Sequence, residues 1–245
     1  MFNAIMYADD LLLLSASLTD LQAMVDLCYK EFSEVALVIN LQKSVCLRVG
    51  PAHNSSVSNI MINNIALQWK SELCFLGVTF VSSKSVKCNL QSVRQKYFRS
   101  LNGLFGKIGA HSSVAVTVSL INSFCVPILL YGIEAFNVTS SMYNILESAY
   151  SAAFSKIFGT YDKHVIKQCQ YYCGVLPVEN IIDVRRLNFL KGMSKVKNDS
   201  INFLFLLHEK YELSRLLAKH NVELNSQYSW KSSMHNNLAS MLNIS

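Results

Sequence analysis

Ile5-Met6-Tyr7-Ala8-Asp9-Asp10-Leu11-Leu12-Leu13-Leu14 sets two adjacent carboxylates between two apolar runs. Short apolar runs on either side of a polar break read as two strands joined by a tight turn. The spacing predicts a hairpin here, with its strands buried and its acids at the tip. Carboxylates fixed on a turn suit a hard divalent cation such as Mg²⁺, which takes oxygen ligands. Asp9 and Asp10 are therefore candidate metal ligands, and plain solvated turn residues are the alternative.

Working outward, the pattern changes from strand to helix and back. Leu21, Met24, Val25, Cys28, Phe32 and Val35 recur at steps of three and four, one face of a helix that Ser17 or Thr19 can cap. Ile39-Asn40-Leu41-Gln42-Lys43 reads as a turn or loop. Val45 to Val49 alternates like a strand that Gly50-Pro51 stops. Asn63-Asn64 between Ile60-Met61-Ile62 and Ile65-Ala66-Leu67 is a hairpin signal. Cys74 to Val81 is a further strand candidate, with Gly77 inside it.

After Ser82 the period is helical. Val86, Leu90, Val93, Tyr97, Leu101, Leu104 and Ile108 step by four and three, which predicts an amphipathic helix over 86–108. Further helices are expected at about 113–135, 140–158, 163–173, 178–197 and 200–220, and a weakly patterned, Asn- and Ser-rich tail from 221. The plan is α+β: a small mixed piece, then helices, with a boundary near 82–85.

Composition bounds the class. In 245 residues, apolar side chains make up 51% and charged ones 16%, enough to bury a sizeable core and too little charge for a disordered tail. The net charge is +6, and between Glu72 and Glu134 there is no acid at all. That interval holds Lys84, Lys87, Arg94, Lys96, Arg99 and Lys107, all outside the apolar stripe on a helical wheel. A field of one sign points to a polyanionic partner; a solvated helix face is the alternative. Seven scattered cysteines, several in apolar runs, read as reduced core residues, and Cys169-x-x-x-Cys173 has no second pair to complete a zinc site. The uncharged run 110–133 is long enough to span a bilayer, but its Ser, Thr and Asn content and Pro127 favour two buried helices meeting near Ser123 to Pro127. No signal peptide is evident, so the chain reads as intracellular, cytoplasmic or nuclear, with no membrane partner.

The tetrad Tyr7-Ala8-Asp9-Asp10 resembles the metal-binding hairpin of reverse transcriptases. Further segments follow in the family's order. Ala36-Leu37-Val38-Ile39-Asn40-Leu41-Gln42-Lys43-Ser44 and Cys74-Phe75-Leu76-Gly77-Val78-Thr79-Phe80 look like its fourth and fifth blocks, the latter a primer-grip hairpin. Pro127-Ile128-Leu129-Leu130-Tyr131-Gly132-Ile133-Glu134 resembles the thumb signature of non-LTR (LINE-type) retrotransposon enzymes, and Gly174 to Arg186 resembles a segment downstream of it. The resemblance runs from about 1 to 195 and implies a partial palm over 1–82, made of the hairpin, a helix and small antiparallel strands, then an all-helical thumb over 83–158; the pattern beyond it adds a C-terminal helical region over 159–220 and a weakly ordered tail over 221–245.

The resemblance implies RNA-templated DNA synthesis by two-metal nucleotidyl transfer, with Mg²⁺ as cofactor and an RNA template, a DNA primer and deoxynucleotides as partners. Asp9 and Asp10 would hold metal. Lys43 would sit near the nucleotide phosphates as an acid, or else is an exposed loop lysine. Tyr7 would touch primer or template, or else is a core tyrosine. Gly77 would let the backbone approach the primer, or else is an ordinary strand glycine. Lys87, Arg94, Lys96 and Arg99 would lie along the template–primer backbone, contacts that position without reading sequence. Tyr131, Gly132 and Glu134 read as packing residues, and Arg185 and Arg186 would touch nucleic acid or else are plain surface.

Within these residues the blocks for the third carboxylate and for the incoming nucleotide are missing, since only eight residues precede Asp9. Ala36 stands where many relatives have Gly. The expectation is the C-terminal half of a reverse transcriptase, inactive alone and needing a complementing upstream chain. The alternatives are a non-catalytic nucleic-acid-binding or protein-interaction module, or a degenerate remnant without function.

Overall fold

A computed structural model describes residues 4–109, 112–223 and 230–242. Helix dominates, with a smaller content of strand, in the α+β manner expected. The chain divides into two compact units, Met1–Asn89 and Leu90–Ser245.

In the first unit β1 (Ala4–Tyr7) and β2 (Asp10–Leu13) form an antiparallel hairpin in which Tyr7 faces Asp10 across the turn. Ser17 caps α1 (Leu18–Glu34) by accepting the Asp20 N–H. The inward face of this helix runs through Leu21 and Val25, as the spacing predicts, but Val35 lies past the helix end and is exposed. β3 (Val45–Leu47) follows the loop. β4 (Met61–Ile62) and β5 (Ile65–Ala66) make the expected hairpin, with positive φ at both Asn63 and Asn64, the signature of a type I′ turn. The Gln22 amide donates to the Met61 carbonyl and accepts the Met61 N–H, each at 2.8 Å, and ties α1 to this hairpin.

β6 (Gln68–Lys70) pairs with β3 in parallel, whereas the small strands were all expected antiparallel. The physical reason is the connection: the chain from 48 to 67 carries the β4–β5 hairpin, long enough to bring the strand back in the same direction. Val25, Cys46, Ile60, Ile62 and Leu67 form the core of this unit.

The segment 74–81 is not one strand with an internal glycine. β7 (Glu72–Phe75) and β8 (Val78–Val81) pair antiparallel around Leu76–Gly77, at φ +48° and +81°. β9 (Lys87–Cys88) adds to β8. Residues 86–88 are therefore not the first turn of the long helix, and Val86 is exposed. Two backbone ladders, rather than an apolar face, decide the conformation here.

The second unit is helical. α2 (Leu90–Ile108) buries Leu90, Tyr97 and Leu101. α3 (Val114–Leu120) runs through a π segment, Ile121–Cys125, into α4 (Val126–Leu129). Two helices meeting near Ser123 to Pro127 were expected; one helical run with a π turn is found. Pro127 has no N–H to give the preceding turn, and the Val126 N–H reaches Ile121 O, five residues back. Ala110 and His111 lie outside the described residues.

α5 (Ser140–Phe158) is capped by Thr139 and closed by Gly159 in the left-handed conformation. Asp162 caps α6 (Lys163–Tyr172) by accepting from the His164 and Val165 N–H groups. α7 (Val178–Met193) follows. α8 (Asp199–Leu204), a π segment Phe205–Glu209 and α9 (Lys210–His220) form the next helical run.

The tail departs from expectation. α10 (Trp230–Met241) is a regular helix that buries Trp230 and Met234 against Leu187, Leu190, Leu213 and Leu216. Trp230, Met234, Leu238 and Leu242 recur every four residues, a short stripe masked by the surrounding Asn and Ser. The rest of the weak-order expectation, at 224–229 and 243–245, lies outside the described residues. No described helix is long and apolar enough to cross a membrane.

Candidate metal and nucleic-acid site

Ala8 and Asp9 are the two turn residues between β1 and β2. Only Ala8 has positive φ, at +52°, the φ pattern of a type II′ turn, whose twist matches that of the flanking strands. Asp9 is the second turn residue and Asp10 the first residue of the returning strand, both exposed. The expected tip is therefore found.

The expected burial of its strands is not. Ile5, Met6 and Tyr7 are 44%, 62% and 66% exposed, so Tyr7 is not a core residue. β1 has β2 on one edge and no described strand on the other. Only β2 reaches the core, through Leu13. The hairpin presents apolar side chains to water beside its two carboxylates.

Neither the Asp9 nor the Asp10 carboxylate makes a hydrogen bond or ion pair among the described residues. No group of three His, Cys, Asp or Glu side chains converges among them either. The donor set present is two adjacent hard oxygen ligands on a turn. It fits a Mg²⁺-type ion in chemistry and falls one ligand short of a bridged pair of ions.

Lys43 is exposed on a well-defined loop. Asn40 Oδ1 accepts the Gln42 and Lys43 N–H groups, both at 3.1 Å, and Asn40 O accepts the Ser44 N–H at 2.9 Å. The backbone under Lys43 is thus held while its ammonium reaches solvent. Gly77 is the second residue of the β7–β8 turn, where φ +81° calls for glycine.

The four basic residues expected along one helix face are dispersed. Lys87 lies on β9, in the first unit, paired with Val81. On α2, Lys96 and Arg99 are exposed and about 60° apart around the axis at 100° per residue. Arg94 is on the other flank, half-buried, its guanidinium 5.5 Å from the Phe98 ring centre.

Arg186 is buried, and Arg185 is half-buried rather than free on the surface. Arg186 is 7% exposed; it binds Glu209 and Glu212, both at 2.6 Å, and donates to the Glu134 carbonyl. Arg185 donates to the Leu130 carbonyl at 3.2 Å and lies 3.7 Å from the Glu134 carboxylate. Sequence spacing gave no sign of this, because the partners lie 23 to 55 positions away. Nearby, Asp183 accepts from Lys219 and His220, both at 2.7 Å. Burial alone would raise the Asp183 carboxyl; those hydrogen bonds and the Lys219 charge together hold it below its ordinary value.

Charge separates by unit. Leu90–Ser245 carries sixteen basic and nine acidic side chains, whereas Met1–Asn89 carries six and seven. The helical unit is therefore +7 and the hairpin unit −1. Of its nine acids, Glu134, Glu179, Asp183, Glu209 and Glu212 already face basic partners. Sequence reading located the positive charge in 84–107 alone, although Lys163, Lys167, Lys195, Lys197 and Lys210 also contribute. A concavity of about 570 Å³, lined by Val118, Asn122, Tyr172 and Lys231 among others, contains none of the expected site residues. The chain matches no protein-family model, no curated protein and no solved structure.

Proposed function

We propose that this chain is the C-terminal part of an RNA-directed DNA polymerase of the non-LTR retrotransposon kind. The carrying observation is the Tyr7-Ala8-Asp9-Asp10 hairpin, a two-residue turn that exposes two adjacent carboxylates. In this reading residues 1–82 are a partial palm, followed by a helical thumb. A complementing segment or chain supplies the third carboxylate and the nucleotide site.

Asp9 and Asp10 would hold Mg²⁺, which when bound activates the primer 3′-hydroxyl and stabilises the leaving pyrophosphate. By its resemblance to the family's hairpin, Asp9 would be the more direct ligand. Lys43 offers a proton near the phosphates, from a backbone already fixed by Asn40. Tyr7, beside the carboxylates and exposed, offers a ring to primer or template. The Leu76–Gly77 turn offers backbone to the primer strand. Lys96 and Arg99 neutralise phosphates.

The test is a chimera carrying a relative's upstream half, assayed for templated primer extension with Mg²⁺. Activity that Asp9→Ala abolishes and Lys43→Ala only lowers supports the reading. An active Asp9→Ala chimera removes the metal role. A second reading, a non-catalytic nucleic-acid-binding module, rests on the +7 charge of the helical unit and needs neither carboxylate.

A further inference from the structure

The helical run Asp199–His220 carries its largest apolar side chains outward at its N-terminal half. Phe203, Leu204, Leu206, Leu207 and Tyr211 are 61%, 51%, 63%, 57% and 80% exposed. The inward side is already filled, by Phe205, Leu213 and Leu216 packed against α7 and α10. The outward residues are therefore surplus to the core of this unit. A contiguous apolar patch of this kind marks an interaction surface.

The order of residues along the patch selects the partner. Asp199, Phe203, Leu207, Tyr211 and Arg215 follow one another at steps of four, on neighbouring turns of one helical run. The series is symmetric about Leu207: an aromatic stands four residues to each side. A charge stands eight residues to each side, negative at Asp199 and positive at Arg215. A second copy laid antiparallel, with its Leu207 against this Leu207, sets Phe203 against Tyr211 and Asp199 against Arg215 at both ends. A single patch facing itself across a two-fold axis is the usual geometry of a homodimer.

The area fits a weak, reversible association. The three apolar side chains of the stripe expose roughly 400 Å² from their exposed fractions, at about 200 Å² for a fully exposed large side chain. Two such stripes bury ~800 Å², the range of transient rather than permanent contacts. We propose that the chain forms a two-fold homodimer through the antiparallel stripe Asp199–Phe203–Leu207–Tyr211–Arg215.

Sedimentation velocity on the full chain between 1 and 100 µM tests this. The expected result is a concentration-dependent monomer–dimer equilibrium that Leu207→Glu shifts to monomer by at least tenfold in Kd. Leu207 is exposed, so the variant keeps its helical circular dichroism. Asp199→Arg and Arg215→Asp should each weaken the dimer, and the pair together should restore it, an outcome that a merely structural role would not produce. A parent chain that stays monomeric at 100 µM overturns the proposal. So does a dimer unaffected by Leu207→Glu, or a double charge swap no tighter than either single change.

Discussion

Replacing Lys96 and Arg99 by Gln should remove a measurable share of nucleic-acid affinity, and the share can be sized. Both side chains project from the exposed side of α2 and are close enough around the axis to meet adjacent phosphates. Each neutralised phosphate steepens the dependence of log K on log salt by roughly 0.7 for a single strand and 0.9 for a duplex. The pair therefore accounts for a slope of about 1.4 to 1.8, or roughly a 7- to 12-fold loss of affinity between 50 and 200 mM salt. Fluorescence anisotropy with single-stranded RNA and with an RNA–DNA primer–template, across a salt series, reads this directly. The double variant should flatten the slope by that amount. Arg94→Gln should change it less, because that guanidinium is committed to the Phe98 ring. Lys87→Gln should leave it nearly untouched, because Lys87 belongs to the unit of net −1. Salt-independent binding, or a double variant with the parent slope, would refute the electrostatic reading and leave apolar contact as the mode.

Three further outcomes follow from single groups. Gly77→Ala places a Cβ at φ +81° and should destabilise the first unit by about 1 kcal/mol, read as a lower urea midpoint; an unchanged midpoint would contradict the turn assignment. Arg186→Met leaves Glu209 and Glu212 facing each other without their cation and should cost about 3 kcal/mol, the low end for a broken buried pair because both carboxylates keep some contact with water; a loss under about 1 kcal/mol in denaturant unfolding would show the network to be dispensable. Asp183, held below its ordinary value of 3.8, adds stability that is present above that value and is lost as pH falls through the lower folded value. Asp183→Asn should therefore weaken the second unit at neutral pH and flatten its acid unfolding limb below about pH 4, and a parallel acid limb in thermal melts would show that Asp183 is not its source.

What the sequence carried of the fold was what local chemistry determines. The Asn63-Asn64 turn, the Ser17 cap and the span of α5 needed only neighbouring residues, and each lies where the pattern places it. The failures occur where distant pairing overrides period. Val86 fits the four-and-three spacing and drew Lys87–Cys88 into the expected helix, but pairing with Phe80 and Val81 holds them as strand. By pattern alone Leu76–Gly77 read as strand, because Phe75, Leu76, Val78 and Phe80 are all apolar, whereas the resemblance implied a hairpin there; the single glycine was the turn signal, and Leu76 at φ +48° is an unusual companion for it. α10 escaped because its stripe is one residue in four amid Asn and Ser, too sparse to outweigh composition.

The same division runs through the candidate site. The Tyr7-Ala8-Asp9-Asp10 tip was legible because a two-residue turn between short strands fixes where its acids point. The exposure of β1 was not, because burial depends on what lies against a strand rather than on its own alternation. For the basic residues the wheel gave the correct side for Lys96 and Arg99, yet it could not show that Lys87 leaves the helix altogether. Arg185 and Arg186 make the point most sharply. Adjacent on α7, they are indistinguishable in sequence from a phosphate-binding pair, but Arg186 spends its donors on Glu209, Glu212 and the Glu134 carbonyl. A guanidinium so satisfied and 7% exposed has little left for a ligand, whereas Lys96 and Arg99 are exposed and have no side-chain partner among the described residues. Burial and prior partners, not charge count, therefore decide which of the helical unit's sixteen basic side chains can meet a polyanion.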